Sequence, residues 1–162
     1  PVCGGSSVGL RLIHGAGEIP AEPFEIPMLY EELLTGREYS VGLLGGGALP
    51  VVEICPKSGT FDYHSKYTAG ETDEICPARI PREKTAKLQQ VALQAAKALE
   101  LRDFARVDFR EDAHGTPHFL EANTLPGMTE GSLLPKEALA AGIPFAELCE
   151  TVARLAAARH RK

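Results

Sequence analysis

Ala105-Arg106-Val107-Asp108-Phe109-Arg110, followed after a short gap by Phe119-Leu120-Glu121-Ala122-Asn123, alternates polar and apolar residues in both runs. Side chains of a strand alternate between faces, so the pattern predicts a β-hairpin. On its first strand Arg106, Asp108 and Arg110 share one face, and Val107 and Phe109 take the other. On the return strand Phe119, Glu121 and Asn123 share a face, opposed to Leu120 and Ala122. A loop of Ala113-His114-Gly115-Thr116 pairs Asp112 with Pro117, Asp108 with Glu121 and Arg106 with Asn123. Directly opposed Cβ atoms are about 5 Å apart, and like charges so placed destabilise a hairpin. A hard divalent cation gives the pairing a reason, because Mg²⁺ takes carboxylate and amide oxygens. A solvated polar face is the competing reading, and the pattern alone leaves the two level. The next turn, Thr124-Leu125-Pro126-Gly127-Met128-Thr129, can offer the bare N–H of Gly127. A metal-bound phosphate flanked by an arginine and a backbone N–H suits phosphoryl or acyl transfer.

Outward from the hairpin, Leu88, Val91, Ala92, Ala95 and Leu99 follow the helical period, predicting a helix over 82–100 opened by Pro81. Lys136 to Ala141 reads as a short helix closed by Gly142, and Pro144 opens a last helix with Phe145, Leu148, Val152 and Leu155 on one face. Arg37 to Leu44 reads as a strand, Gly45-Gly46-Gly47 as a turn, and Ala48 to Ile54 as the returning strand. Residues 56–77 are polar and lack an apolar period, which predicts a long functional loop. Residues 14–27 hold too many prolines and glycines for a helix.

The 162 residues are 44% hydrophobic and 24% charged, which predicts a folded chain with a real core. The net charge of −5 argues against a nucleic-acid partner, and no apolar run approaches the ~20 residues of a membrane span. Cys3, Cys55, Cys76 and Cys149 show no metal-ligand spacing and read as reduced thiols of a cytoplasmic protein. The chain opens on Pro1, and Val2-Cys3-Gly4-Gly5-Ser6-Ser7-Val8-Gly9 reads as interior sequence, so the expectation is part of a longer enzyme.

The run Glu121-Ala122-Asn123-Thr124-Leu125-Pro126-Gly127-Met128-Thr129, with Ala105-Arg106-Val107-Asp108 before it, resembles the D-alanine–D-alanine ligases of the ATP-grasp superfamily. The resemblance extends over Gly5-Ser6-Ser7-Val8-Gly9, Glu31 to Glu38, Val52-Glu53-Ile54, Phe61-Asp62-Tyr63, Lys66-Tyr67 and Ser132-Leu133-Leu134-Pro135-Lys136. It implies an α+β fold, the ATP-grasp C-terminal domain, with a mostly antiparallel sheet flanked by helices and part of the nucleotide-side subdomain. Residues 1–44 would be a remnant of the central subdomain and 45–162 the catalytic domain. The stretch 10–30 is shorter and richer in proline than the family pattern, and Val2-Cys3-Gly4 replaces the residues usual before the phosphate loop.

The resemblance implies ATP and two Mg²⁺ ions, with Mn²⁺ an alternative. Asp108, Glu121 and Asn123 would hold the metal. Arg106 and the Gly127 N–H would stabilise the tetrahedral oxyanion. Glu31, Leu34 and Glu38 would bind adenine and ribose, and Lys66 the γ-phosphate. Ser132 would hold the carboxylate of the second D-alanine, and Ser6 and Tyr67 would link the loops that close over the site. The implied activity joins two D-alanines through an acyl phosphate for peptidoglycan precursor synthesis, in the cytoplasm, by an enzyme that is a homodimer at full length. Blander readings stand beside these: Lys66, Glu31 and Glu38 as solvated charges, Tyr67 as a packed ring, and Ser132 as a helix cap before Pro135. Rival functions are a related carboxylate–amine ligase with another substrate and a non-catalytic nucleotide-binding segment.

Overall fold

A computed structural model describes residues 1–3, 8–20, 24–56 and 72–159. Among these residues six strands form one antiparallel sheet: β1 Glu38–Leu44, β2 Gly47–Ala48, β3 Val52–Pro56, β4 Thr72–Ile75, β5 Phe104–Glu111 and β6 Pro117–Asn123. Their order is β4-β3-β1-β5-β6, with β2 paired to the end of β1. Among the described residues the α-helices are α1 Arg82–Ala98, α2 Leu133–Ala140, which begins a turn before the expected Lys136, and α3 Phe145–Arg159.

The sheet separates two apolar layers. Tyr39, Val41, Leu43, Val107 and Phe109 point to α1 and pack with its Leu88 and Ala92. On the opposite face Leu49 packs with Leu134 and Ala138 of α2 and Leu148 of α3, while Val52 and Ile54 pack with Leu133. Both layers follow from strand alternation, which sends odd β1 residues to one helix and even ones to the other. The polar residues Arg106, Asp108 and Arg110 of β5 alternate with Val107 and Phe109 and so lie on the α2 side of the sheet.

Gly45 and Gly46 both have positive φ, 59° and 87°, the backbone of a two-residue hairpin turn whose twist matches the strands. The expected return strand 48–54 is two strands. β2 pairs in the register Leu43↔Ala48 and β3 in the register Ser40↔Val52. Pro50 lies in the break between them and has no N–H to give a ladder. The expected loop 56–77 holds strand β4, paired with β3 from Glu53↔Ile75 to Pro56↔Thr72. Its two acids interrupt the apolar signal, and pairing supplies what local pattern lacks. A division at 44/45 falls in the β1–β2 turn, and β1 is the middle strand of the sheet.

Helix α2 begins at Leu133, so Ser132 occupies the position before its first turn. Gly142, at φ 82°, closes it, with Ile143 N–H donating to Ala138 O at 2.9 Å and Gly142 N–H to Leu139 O at 2.9 Å. That is the paired closure glycine favours after a helix. Residues 8–20 and 24–37 contain one short 3₁₀ turn, Ala16–Glu18, and no strand, leaving Leu10, Ile26, Leu29 and Tyr30 exposed. No helix among the described residues is long and apolar enough to cross a membrane. The four cysteines are free thiols.

Candidate active site

The β5–β6 hairpin pairs Arg106 with Asn123 and Asp108 with Glu121, the pairs expected from a 113–116 loop. Near the turn the register differs from expectation. Glu111, not Asp112, pairs with Pro117, and Phe109 pairs with Phe119. A bulge between the Asp108 and Phe109 pairs leaves Leu120 extra on β6 and restores the predicted register at Glu121. Phe119 therefore leaves the face of Glu121 and meets the Phe109 ring edge-on, 6.4 Å between centroids. Asp112 accepts N–H bonds from His114 at 2.8 Å and Thr116 at 2.9 Å, which binds it into the turn and out of the ladder. These bonds, with the His118 ring, pull its carboxyl down to about 2.

Asp108 is the hub of the polar face. It accepts from Arg106 Nε at 2.8 Å and Nη2 at 2.7 Å, from Ser40 Oγ at 3.1 Å and from Asn123 Nδ2 at 3.1 Å. Its residue is 8% exposed. The Asn123 amide also reaches Glu121 Oε1 at 3.3 Å, so one amide bridges both carboxylates. Burial works against the charge of Arg106, but the bonds to Asp108 outweigh it and hold the guanidinium pKa above its ordinary value. Glu38 ion-pairs with Arg110 Nη1 at 3.4 Å on the same face of the sheet.

Gly127 and Ser132 come together beyond the hairpin. A Cβ on Gly127 would stand 2.8 Å from Ser132 Oγ, so any larger residue there would displace this hydroxyl. The Ser132 hydroxyl makes no capping bond to α2. It accepts from Thr129 N at 3.2 Å and meets Thr129 Oγ1 at 2.9 Å. The cap position is therefore real, but the hydroxyl is turned to the preceding turn rather than to the helix.

The structure gathers Arg106, Asp108, Glu121 and Asn123 in one cluster, and Gly127 with Ser132 in a second. Glu31 is exposed and Leu34 half-buried in the irregular segment before β1, without a hydrogen bond or ion pair to the hairpin. Ser6, Lys66 and Tyr67 lie outside the described residues. Sequence reasoning passed over Ser40 and Glu137. Alternation from Glu38 through Ser40 to Gly42 marks Ser40, and the helical spacing of Leu133, Leu134 and Glu137 puts Glu137 on the buried side of α2.

Among the described residues no three His, Cys, Asp or Glu side chains converge on one point. The hairpin offers a different set, two opposed carboxylates and an amide, all able to present oxygen. That set fits a hard cation which completes its shell with phosphate oxygens or water.

Residues 1–154 match the family model described as D-ala D-ala ligase C-terminus. The chain is 43% identical over 153 residues to a D-alanine–D-alanine ligase of Methylacidiphilum infernorum, covering 91% of this chain and 50% of that protein. It is 43% identical over 159 residues to the Aquifex aeolicus D-alanine–D-alanine ligase, covering 94% of this chain and 53% of that protein. Among solved structures, the Bacillus anthracis D-alanine–D-alanine ligase complexed with ATP superposes with a TM-score of 0.68 at 31% identity, over 81% of this chain and 41% of that one. The VanG D-Ala:D-Ser ligase from Enterococcus faecalis gives 0.63 at 33% identity, over 76% of this chain and 37% of that one. The chain spans about half the length of the curated relatives it matches. With the hairpin, the turn and the helix after it in the order and register laid out above, the chain belongs to the D-alanine–D-alanine ligase C-terminal family, with the ATP-grasp fold.

Proposed function

We propose that this chain is the catalytic C-terminal half of an ATP- and Mg²⁺-dependent ligase that joins two D-alanines. The observation that carries the reading is the Asp108↔Glu121 pair beside Arg106↔Asn123 on one face of the hairpin. Asp108, Glu121 and Asn123 are the residues that would hold Mg²⁺, or Mn²⁺ in its place. The metal, when bound, neutralises phosphate charge. Arg106 and the Gly127 N–H are fixed donors for an oxyanion, and donors of this kind act as charge develops. Ser132, beside Gly127, is the hydroxyl assigned to the second D-alanine carboxylate. Glu38 is assigned to the ribose, Glu31 and Leu34 to the adenine side, Lys66 to the γ-phosphate, and Ser6 and Tyr67 to loop closure.

In the reaction, a carboxylate oxygen of the first D-alanine attacks the γ-phosphorus of ATP and ADP leaves. The amine of the second D-alanine attacks the acyl phosphate carbon, a proton is lost from nitrogen, and inorganic phosphate departs. The dipeptide belongs to peptidoglycan precursor synthesis in the cytoplasm, and the full-length enzyme is a homodimer on the same reading. The test is phosphate release from ATP by a protein carrying this chain, with D-alanine, D-serine and D-lactate as acceptors. Release that depends on D-alanine supports the proposal, and indifference to D-alanine defeats it. A D-serine preference favours the second reading, for which the likeness to the D-Ala:D-Ser ligase is the motive.

A further inference from the structure

Glu137 is wholly buried, 0% exposed, on the side of α2 that faces the sheet. Among the described residues neither of its carboxylate oxygens meets a partner in hydrogen-bond geometry, with the Ser40 hydroxyl and the Gly42 N–H as its neighbours. A missing side chain sets its position. The space that a Cβ on Gly42 would fill is occupied by Glu137 Oε2. In the β1–β5 ladder Gly42 lies opposite Arg106, and Ser40 lies opposite Asp108. A carboxylate in the side-chain slot of Gly42 therefore faces Arg106 as a cross-strand partner does. Opposed side chains in such a ladder start about 5 Å apart at Cβ.

Arg106 spends Nε and Nη2 on Asp108. A guanidinium has five N–H donors in a rigid fork, so further donors remain. On the reading that Asp108 is a metal ligand, a cation arriving there draws away the carboxylate that Arg106 holds. The arginine side chain is only 19% exposed, so it would be left with little solvent and no anion. We propose that Glu137 is a positioning residue, the second counter-ion of Arg106, which holds the guanidinium in place when Asp108 turns to a cation. The helix that follows Ser132 then also steadies Arg106, so one rigid element supports both the oxyanion donor and the hydroxyl assigned to the second D-alanine.

A pair of double-mutant cycles on thermal unfolding tests this without any metal. In the parent chain, Glu137→Gln leaves Tm unchanged or raises it, because a neutral isostere replaces an unpartnered carboxyl. In the Asp108→Asn chain, Arg106 depends on Glu137, and adding Glu137→Gln lowers Tm by on the order of 5–10 °C. Arg106→Met supplies a second cycle should Asp108→Asn not fold. With the guanidinium gone, Glu137→Gln raises Tm more than it does in the parent. The same shift in parent and variant, in either cycle, overturns the proposal.

A third readout follows the Arg106 Nε–H resonance during titration with Mg²⁺. It is expected to move in the parent chain yet stay protected from exchange, and to lose that protection in Glu137→Gln. Retained protection in Glu137→Gln counts against the positioning role. A resonance that Mg²⁺ leaves still in the parent counts against the metal reading of Asp108, while the cycles still decide Glu137.

Discussion

Replacing Asp108 with alanine is expected to damage the fold before it damages any chemistry. Four hydrogen bonds end on this carboxylate, two from Arg106, one from Ser40 and one from Asn123. Its removal strands a guanidinium whose side chain is 19% exposed. Breaking a fully buried pair costs about 3–5 kcal/mol, and the remaining exposure of Arg106 lowers the expectation here to about 2–4 kcal/mol. For a chain of this length that corresponds to a fall in Tm on the order of 10 °C. Glu121 is different. It is exposed, and its contact is one 3.3 Å bond from the Asn123 amide. Glu121→Gln should therefore move stability by less than about 0.5 kcal/mol. The assay is urea unfolding followed by circular dichroism, with Mg-ATP titration of the same samples. If Asp108 is the structural hub, the two variants part company in stability while both weaken Mg-ATP binding. Equal stability of the two would refute the hub. Unchanged Mg-ATP binding in Glu121→Gln would refute the metal assignment without touching the hub.

Other expectations follow from single contacts. Gly127→Ala places a methyl against Ser132 Oγ, at 2.8 Å before any shift, so the KM for the second amino acid should rise about tenfold, equivalent to about 1.4 kcal/mol, with Tm nearly unmoved. A Tm loss with KM intact would mean that the contact serves packing alone. Gly42→Ala drives a methyl into Glu137 Oε2 and to 2.6 Å from Leu134 Cδ1, for a loss of about 1–3 kcal/mol measurable by urea unfolding. Combining it with Glu137→Ala should recover part of that loss. Tyr39→Phe deletes the 3.1 Å bond to Glu111, already held by Lys84 at 2.5 Å, and should cost about 1–2 kcal/mol in the same measurement. Asp112 titrates in the folded chain near 2, below its unfolded value. Its stabilisation is thus complete above the unfolded value near 4 and disappears as pH falls through 2, so Asp112→Ala should flatten acid unfolding across that window.

Legibility in the sequence followed the range of the interactions. Alternation marked the polar and apolar faces of the hairpin, while the pairing of Asp108 with Glu121 rested on an expected 113–116 loop; the structure starts the ladder at Glu111↔Pro117 and the bulge restores that pairing. The helices came from apolar period and from Pro81, Gly142 and Pro144, which mark ends by local backbone constraint. The errors lie where pairing or tertiary contact overrides local pattern. Leu120 looks like an ordinary strand residue, and only the Phe109–Phe119 contact explains why the ladder skips it. Thr72–Ile75 reads as loop because its acids break the period, yet β3 recruits it as an edge strand.

Glu137 shows the same limit at the site. A glutamate after Lys136 on a short helix reads as one more surface charge. It is buried because Gly42, ninety-five positions earlier, omits a side chain at the point where α2 crosses β1. The spacing from Leu133 and Leu134 marks the buried side of the helix, but nothing local shows that a missing side chain so far away makes room there for a carboxylate. Once the sheet is formed, the consequence for charge is direct. Burial pushes the Glu137 carboxyl well above its ordinary range, the negative charge of Asp108 adds to that, and Arg106 opposes it. Any event that neutralises Asp108 removes one of the two forces that keep Glu137 from ionising and frees the cation that favours its charge. The polar face of the hairpin is therefore coupled to the interior of α2, although neither segment alone shows the coupling.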